Sequence, residues 1–401
     1  MNSDRPLRIA FNGLYLRHEA VGIVRYSEEL LRCLANEDID IDVYVPKGID
    51  LKRANPACSR RTRTRVVVPR LRTGNQFIDD RLWERAVFSR VRRGAYDLLH
   101  SPYFACSPYR SLPQVVTVHD IIPHLFPEYL TSFPRRLHWR YNVRRSAALD
   151  AVIVDSHHSL RDVARSLPVS AGRVHVIYLA AAEHFKPTVD AQERERIRKT
   201  YQLPEDYLLY LGGYDIRKGV ATLLEAFAGF LRTGGTPRSL VLAGDIPGPL
   251  PGLVPDYGDH IRRLDLASAV VLPGKIAESD LPTVYSLATI FIYPSTYEGF
   301  GLPVLEAMAC GVPVIAASCG SIPEIASRED LLFEEGNVRQ LELRMARLAG
   351  NPQLREELSR WGRDAASKFS WATAARHTMA VYRDVARTER HDTQPEVRYR
   401  S

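Results

Sequence analysis

Residues 294–311 read Pro-Ser-Thr-Tyr-Glu-Gly-Phe-Gly-Leu-Pro-Val-Leu-Glu-Ala-Met-Ala-Cys-Gly. The apolar run Ile290–Tyr293 in front of them predicts a buried strand. Pro303 suits the first turn of a helix, where its missing N–H costs little, and Gly311 suits that helix's C-terminus. The segment therefore reads as strand, glycine-rich loop and helix Pro303–Cys310. Such a loop lets a ligand approach backbone N–H groups, and the helix N-terminus behind it favours an anion such as a diphosphate. Glu306 is expected near that N-terminus, where the helix dipole favours a carboxylate. Glu298 stands earlier, in the loop. Two carboxylates there could accept hydrogen bonds from the hydroxyls of a sugar and of a ribose. The alternative reading is a tight strand-to-helix turn in which Glu306 only satisfies the dipole.

The same alternation of short β-branched runs and helical periodicity extends in both directions, as in parallel α/β sheets. In the first half the expected strands are Leu7–Asn12, Ile41–Val45, Val66–Val68, Leu98–His100, Val115–His119, Val152–Asp155 and Val174–Tyr178. Helices are expected over Ile23–Asn36, Phe77–Arg93, Pro134–Leu149 and Ser159–Ser166, the last with Ser156 in its N-cap region. A polar stretch over Glu183–Asp206, with a short helix Ala191–Thr200, marks a domain boundary. Strands then recur at Tyr207–Leu211, Leu240–Ala243, Val270–Leu272, Ile290–Tyr293 and Val312–Ala316. The remainder is mainly helical to about Arg387. A single core rarely grows past roughly 250–300 residues, so a chain of 401 implies two domains. Two successive doubly wound sheets fit it. Ligands of such sheets bind at the carboxyl ends of the strands, so the expected site is a cleft between the two domains.

Three further segments end strands. In Gly212-Gly-Tyr-Asp-Ile-Arg-Lys-Gly219, Arg217 and Lys218 are expected at a helix start, where two cations oppose the dipole unless an anion binds. The alternative is two solvent-facing side chains. In Val115-Val-Thr-Val-His119-Asp120, His119 would point towards the cleft and bind a substrate hydroxyl or stabilise charge, although a lone His is more often structural. His100 and Ser101 carry the same ambiguity. In Phe11–Tyr26, Gly22 opens a helix, a weak phosphate-loop signal that lacks the G-x-G-x-x-G spacing. No G-x-x-x-x-G-K-[ST] or G-x-S-x-G occurs, against a P-loop NTPase or a typical α/β-hydrolase.

The chain carries a net charge of +7, yet residues 47–93 alone hold 14 Lys/Arg and 4 Asp/Glu. A second basic cluster comprises Arg135, Arg136, Arg140, Arg144 and Arg145. A solvated face, acidic lipid, a phosphorylated substrate or nucleic acid would each account for this, but no nucleic-acid module is recognisable. The five cysteines, Cys33, Cys58, Cys106, Cys310 and Cys319, are scattered without a C-x-x-C pair, which suits a reducing cytosol and argues against a zinc site. No apolar run is long enough to span a membrane, and no signal peptide is evident.

Tyr-Glu-Gly-Phe-Gly-Leu-Pro-Val-Leu-Glu at 297–306 strongly resembles the E-x7-E signature of glycosyltransferase family 4, retaining enzymes with the GT-B fold. The resemblance extends to the Gly22 loop, Val-His-Asp at 118–120, Arg-Lys-Gly at 217–219 and Phe-Ser-Trp at 369–371. Val-His-Asp followed by Ile-Ile-Pro looks most like the mannosyltransferase-B-like branch, which builds bacterial surface polysaccharides. This resemblance implies two facing Rossmann-like domains, 1–185 for the acceptor and 186–370 for the nucleotide sugar. A helix 371–387 would cross back, followed by a disordered tail 388–401.

By the same resemblance Arg217 and Lys218 would hold the donor diphosphate, Glu298 the donor-sugar hydroxyls and Glu306 the ribose. Phe300, Gly301 and Leu302 would offer backbone contacts. His119 would contact the sugar from across the cleft. The turn holding Gly274, Lys275 and Ile276 would lie near the base, with Gly22 and Gly213 beside the phosphates. GDP-mannose is the expected donor, with dTDP-rhamnose or a UDP-hexose as alternatives. The acceptor would be a saccharide or a lipid-linked one. No metal or other cofactor is expected. A cytoplasmic enzyme touching the inner face of an anionic membrane through its basic surplus is expected, with no nucleic-acid partner. Three departures are Val24 in the first loop, Leu179–Ala182 before the linker, and Gly213 where relatives carry Arg. The alternatives in function are an epimerase or phosphorylase on the same fold, or a non-catalytic nucleotide-sugar-binding subunit.

Overall fold

The computed structural model describes residues 5–17, 22–57, 59–68, 73–93, 96–108, 112–130 and 132–392. The chain divides into two units, residues 1–179 with 371–401, and residues 180–370. The break therefore falls earlier than the expected 185, ahead of the polar stretch.

The first unit is built on strands β1 (Leu7–Asn12), β2 (Ile39–Pro46), β3 (Thr62–Val67), β4 (Leu98–Ser101), β5 (Gln114–Val118), β6 (Ala151–Val154) and β7 (Val174–Val176). They form one sheet in the order β3-β2-β1-β4-β5-β6-β7, and every pairing is parallel. Helices α1 (Gly22–Leu34), α2 (Leu51–Ala54), α3 (Gln76–Arg93), α4 (Ile122–Leu125), α5 (Phe133–Ser146) and α6 (His157–Ser166) connect them. Ser156 caps α6 by accepting from the Ser159 N–H. Edge strand β3 begins earlier than expected because its first residues alternate Thr and Arg. Arg63 and Arg65 reach over to the buried carboxylate of Asp42 on β2, charge being a common guard on a sheet edge.

The second unit carries β8 (Leu208–Leu211), β9 (Leu240–Ala243), β10 (Val270–Gly274), β11 (Ile290–Tyr293), β12 (Val314–Ala317) and β13 (Leu332–Phe333). Their order is β10-β9-β8-β11-β12-β13, again parallel throughout. Its helices are α7 (Ala191–Tyr201), α8 (Val220–Arg232), α9 (Tyr257–Arg263), α10 (Leu281–Leu287), α11 (Leu302–Ala309), α12 (Ile322–Ile325), α13 (Val338–Ala349) and α14 (Pro352–Ala366). Leu208, Leu209, Tyr210, Ile290, Phe291 and Ile292 have no exposed surface. Strands covered on both faces read as unbroken apolar runs, which is why these were visible in the sequence.

The last helix, α15 (Trp371–Asp392), belongs to the first unit. There Tyr382 is fully buried with its hydroxyl 2.5 Å from His100 Nδ1, and Trp371 meets the Tyr26 ring edge-on. The expected tail at 388 therefore starts inside this helix, and 393–401 lie outside the described residues. No helix among the described residues is long and apolar enough to cross a membrane.

In both sheets the strand order reverses once, between β1 and β4 and between β8 and β11. Loops leaving the carboxyl ends of the two strands at such a reversal splay apart and leave a crevice that takes ligands. In the second unit those loops are the one after β8, with Arg217 and Lys218, and the one after β11, with Glu298.

Candidate active site

The loop after β8 does not run straight into a helix. Ile216–Lys218 form one 3-10 turn, Gly219 follows in the left-handed region at φ +66°, and α8 starts at Val220. Arg217 and Lys218 thus precede the helix, a correction to the expected helix start. Gly219 is required twice over: its φ disfavours any other residue, and a Cβ there would strike the Pro294 carbonyl oxygen. That close approach presses the β8 loop onto the β11 loop. Thr296 seals the contact, its N–H donating to the Arg217 carbonyl at 2.7 Å.

Four donors then converge on one oxygen. Glu298 Oε1 receives Lys218 Nζ at 2.6 Å, Arg217 Nη1 at 3.1 Å, the Tyr293 hydroxyl at 2.9 Å and the Ser295 hydroxyl at 2.5 Å. Burial opposes a charge on Glu298, but the two cations and the bonds from Lys218 and Ser295 outweigh it and hold the carboxyl at about 2. Its Oε2 accepts no hydrogen bond from the described residues. The group is a pre-formed anion with one oxygen engaged and one available. The two cations expected to await a diphosphate are thus already paired with one carboxylate.

Gly301, at φ +100°, turns the chain into α11, and its missing Cβ makes room for Ile322. The N–H groups of Gly301 and Leu302 are unclaimed by the described residues, as expected for the first turn of a helix. Phe300 is buried against Phe369, so its ring faces the core. Glu306 lies past the first turn of α11, fully buried, and accepts from the Tyr285 hydroxyl at 3.3 Å. The dipole effect fades within one turn, so the expected dipole role is corrected to a buried carboxylate. Gly213 follows β8, and a Cβ there would meet only ordinary contacts. Gly274 ends edge strand β10, two strands away from β8, and Lys275 and Ile276 follow it.

Sequence reasoning missed Tyr293, Ser295, Ser321 and Gly320. The Ser321 hydroxyl donates to the carbonyls of Glu298 and Phe300 at 3.2 and 2.6 Å. Gly320 sits at φ +54°, and a Cβ there would lie 2.5 Å from the Glu298 carbonyl oxygen. Its signal was available, since it lies in the loop after β12 as Gly212 lies in the loop after β8. Gly320→Ala is expected to cost roughly 1–2 kcal/mol in left-handed strain alone and to displace the Glu298 loop. Thermal unfolding and donor titration of that variant check both effects.

In the first unit, His119 follows β5. Its Nδ1 lies 2.6 Å from the buried Asp155 carboxylate and its Nε2 3.1 Å from the Pro102 carbonyl. Both partners only accept, so both ring nitrogens carry hydrogen and the ring is an imidazolium. Burial works against that charge, but Asp155 outweighs it and raises the pKa above 6.5. Both ring nitrogens are thus engaged by Asp155 and Pro102. In ring-nitrogen NMR titrations His119 should stay protonated as pH rises past 6.5, and Asp155→Asn should return its titration to that value or below. Gly22 is the exposed first residue of α1. A pocket of about 440 Å³ opens beside His119, lined by Tyr15, Phe104, Trp139, Asp80 and Arg81.

Comparison with known proteins matches residues 21–181 to the model described as Glycosyltransferase Family 4 and residues 192–365 to Glycosyl transferases group 1. The chain is 30% identical over 297 residues to alpha-maltose-1-phosphate synthase of Mycolicibacterium smegmatis, covering 69% of this chain and 74% of that protein. The chain belongs to glycosyltransferase family 4. It is a glycosyltransferase of the GT-B fold class. This family 4 enzyme is also similar to O-antigen chain mannosyltransferase B of Escherichia coli, at 29% identity over 71% of this chain and 74% of that one. It is 28% identical to the serotype-specific mannosyltransferase WbdA of Escherichia coli over 69% of its own length, but spans only 34% of that longer chain. Among solved structures, sucrose-phosphate synthase from Thermosynechococcus elongatus superposes with a TM-score of 0.71 at 23% identity, covering 95% of this chain and all of that one. Anabaena HepE in complex with UDP-glucose gives 0.69 at 18%, over 96% of this chain and 100% of its own.

Proposed function

We propose that this glycosyltransferase moves a hexose, mannose from GDP-mannose, with retention at the anomeric carbon, onto a saccharide or lipid-linked acceptor of a surface polysaccharide or glycoconjugate. The observation that carries the reading is the convergence of Lys218 and Arg217 on the buried Glu298 carboxylate beside the open N–H groups of Gly301 and Leu302. The mannosyltransferase relatives support mannose. A UDP-hexose is the second reading, favoured by the likeness to HepE solved with UDP-glucose.

When donor binds, its diphosphate would take Arg217 and Lys218 from Glu298, Arg by paired contacts to phosphate oxygens. The freed carboxylate would accept hydrogen bonds from the sugar hydroxyls, and Glu306 from the ribose. As the bond from the anomeric carbon to the phosphate oxygen breaks, its electrons pass to the diphosphate, which Lys218, Arg217 and the α11 N–H groups stabilise. The acceptor oxygen bonds to the same face of the sugar, and its proton goes to the departing diphosphate. Charge neutralisation falls to Arg217 and Lys218, so the proposal calls on no metal. The pocket beside His119 would take the acceptor, and the enzyme would act in the cytoplasm, at the membrane face when that acceptor is lipid-linked.

A thermal-shift series with GDP-, UDP- and dTDP-sugars tests the donor, since a ligand that binds only the folded state raises its stability. GDP-mannose is expected to give the largest shift. A shift with UDP or dTDP but none with GDP overturns the mannose assignment.

A further inference from the structure

Three side chains that line the pocket beside His119 each bury a polar atom that has no hydrogen-bond partner among the described residues: Asp80 Oδ1, Arg81 Nε and Trp139 Nε1. Buried polar atoms are nearly always bonded, so three such atoms around one cavity need a reason. Asp80 and Arg81 come from the first turns of α3 and Trp139 from α5. Tyr15 and Phe104 come from the loops after β1 and β4. Those are the two strands at which the order of the first sheet reverses, the place where an open parallel sheet takes a ligand.

The charges around the cavity are paired within the protein. Asp80 Oδ2 meets Arg17 at 2.5 Å, Arg81 Nη1 meets Glu84 at 2.6 Å, and His119 meets Asp155. His138 Nε2 faces Arg81 and Asn142 at 2.6 and 2.8 Å, and burial with the Arg81 charge pushes its pKa down to about 3, so it is neutral. The walls are aromatic. Phe104 and Trp139 lie 5.1 Å apart and tilted, and Tyr15 meets Tyr103 edge-on. Ring faces are electron-rich and attract polarised C–H groups. A lipid chain here would leave all three polar atoms unpaired. A phosphate would set its charge against the open oxygen of Asp80. A hydroxyl both donates and accepts, so hydroxyls satisfy Asp80 Oδ1 as donors and Arg81 Nε and Trp139 Nε1 as acceptors.

We propose that this pocket holds an uncharged pyranose ring of the acceptor, stacked on Trp139, with Trp139 Nε1 and Arg81 Nε donating to ring hydroxyls and Asp80 Oδ1 accepting from one. A pyranose is the group that offers a C–H face and several hydroxyls at once. The volume of about 440 Å³ falls in the range of small-molecule sites. Acceptor choice is then set by the stereochemistry of those hydroxyls, and Asp80, Arg81 and Trp139 are the residues that read it. The inference rests on the proposed glycosyl transfer for its purpose and decides between the two acceptor classes that reading leaves open: the seated part is sugar, and neither a lipid nor its phosphate.

The test is saturation-transfer NMR of the full chain, without donor, against methyl pyranosides of mannose, glucose, galactose and rhamnose and the monodeoxy analogues of whichever binds. One or more of the four is expected to bind, with the strongest transfer to the ring protons of a single face. Asp80→Asn should weaken that binding roughly tenfold or more, because it removes a charge-assisted hydrogen bond. Trp139→Phe keeps an aromatic wall and removes only the N–H. It should weaken binding about tenfold, except for the one deoxy analogue that lacks the hydroxyl Trp139 reaches, which should bind wild type and variant alike. Should Asp80→Asn prove misfolded by thermal unfolding, Trp139→Phe still decides, since an equal loss for every analogue overturns the hydrogen-bond assignment. Binding by none of the four pyranosides, or displacement of the bound one by inorganic phosphate, overturns the sugar site. Absence of transfer by the wild-type chain from every donor would instead contradict the proposed function and leave the sugar-binding result standing.

Discussion

Glu298→Gln is expected to destabilise the protein and, at the same time, to tighten its hold on a bare nucleoside diphosphate. Among the described residues the carboxylate is the counter-ion that Lys218 contacts, and it pairs with Arg217, which also meets Asp215; all three side chains are largely shielded from water. Removing one partner of such a buried set costs about 3–5 kcal/mol, a fall in Tm of roughly 4–6 °C for a chain of 401 residues. A nucleoside diphosphate brings the missing negative charge, so it should restore much of that loss and bind on the order of tenfold more tightly than to wild type. Transfer should nonetheless drop by about a hundredfold, because the neutral amide no longer accepts charge-assisted hydrogen bonds from the sugar. The pH dependence has the matching sign. Glu298 titrates at about 2 in the fold against an ordinary 4.5, so its contribution is complete above 4.5 and is lost as pH falls from there towards 2. Thermal unfolding across that range, with and without a nucleoside diphosphate, reads all of this. An unchanged Tm in Glu298→Gln would show that the ion cluster does not hold the loop.

Lys218→Ala is expected to act in the opposite direction on diphosphate affinity. It removes the cation 2.6 Å from Glu298 Oε1, which the proposal assigns to the leaving diphosphate. Losing one pre-organised stabiliser of developing charge typically costs 10²–10³ in rate. A fall of about that size in kcat/KM is expected, with weaker binding of the bare nucleoside diphosphate. Glu298 keeps Arg217, Tyr293 and Ser295, so its pKa should rise from about 2 without reaching an ordinary value. The contrast between the variants is the diagnostic: a carboxylate that competes with the donor must, on removal, improve diphosphate binding, and the cation it competes for must, on removal, weaken it. Equal losses in both would point to general damage to the loop.

Much of this was legible in the chain itself. Fully covered parallel strands leave continuous apolar runs, and Leu208–Leu211 and Ile290–Tyr293 could be read directly. Strand-end loops with glycine and charge marked Glu298, Arg217 and Lys218 as candidates. What the sequence could not show was their direct pairing. It depends on β8 and β11 being neighbours at the reversal of strand order, a fact of topology between segments far apart in the chain. The start of α8 was misjudged because Gly219 ends a 3-10 turn before the helix begins, and periodicity alone does not separate the two. Glu306 was placed by its distance from Pro303, whereas its burial against Tyr285 is a property of packing between α10 and α11. His119 was singled out by position, but its charge state needed Asp155, which directly follows β6.

Transfer from a GDP-sugar through the Glu298, Lys218 and Arg217 cluster is what we propose. The measurement that meets it most directly is NMR of the product formed from GDP-mannose and a saccharide acceptor, with GDP release followed in parallel. GDP release that depends on acceptor, a product with the donor's own anomeric configuration, and loss of both in Lys218→Ala are the expected results. An inverted product, or turnover in Lys218→Ala equal to wild type, would contradict it.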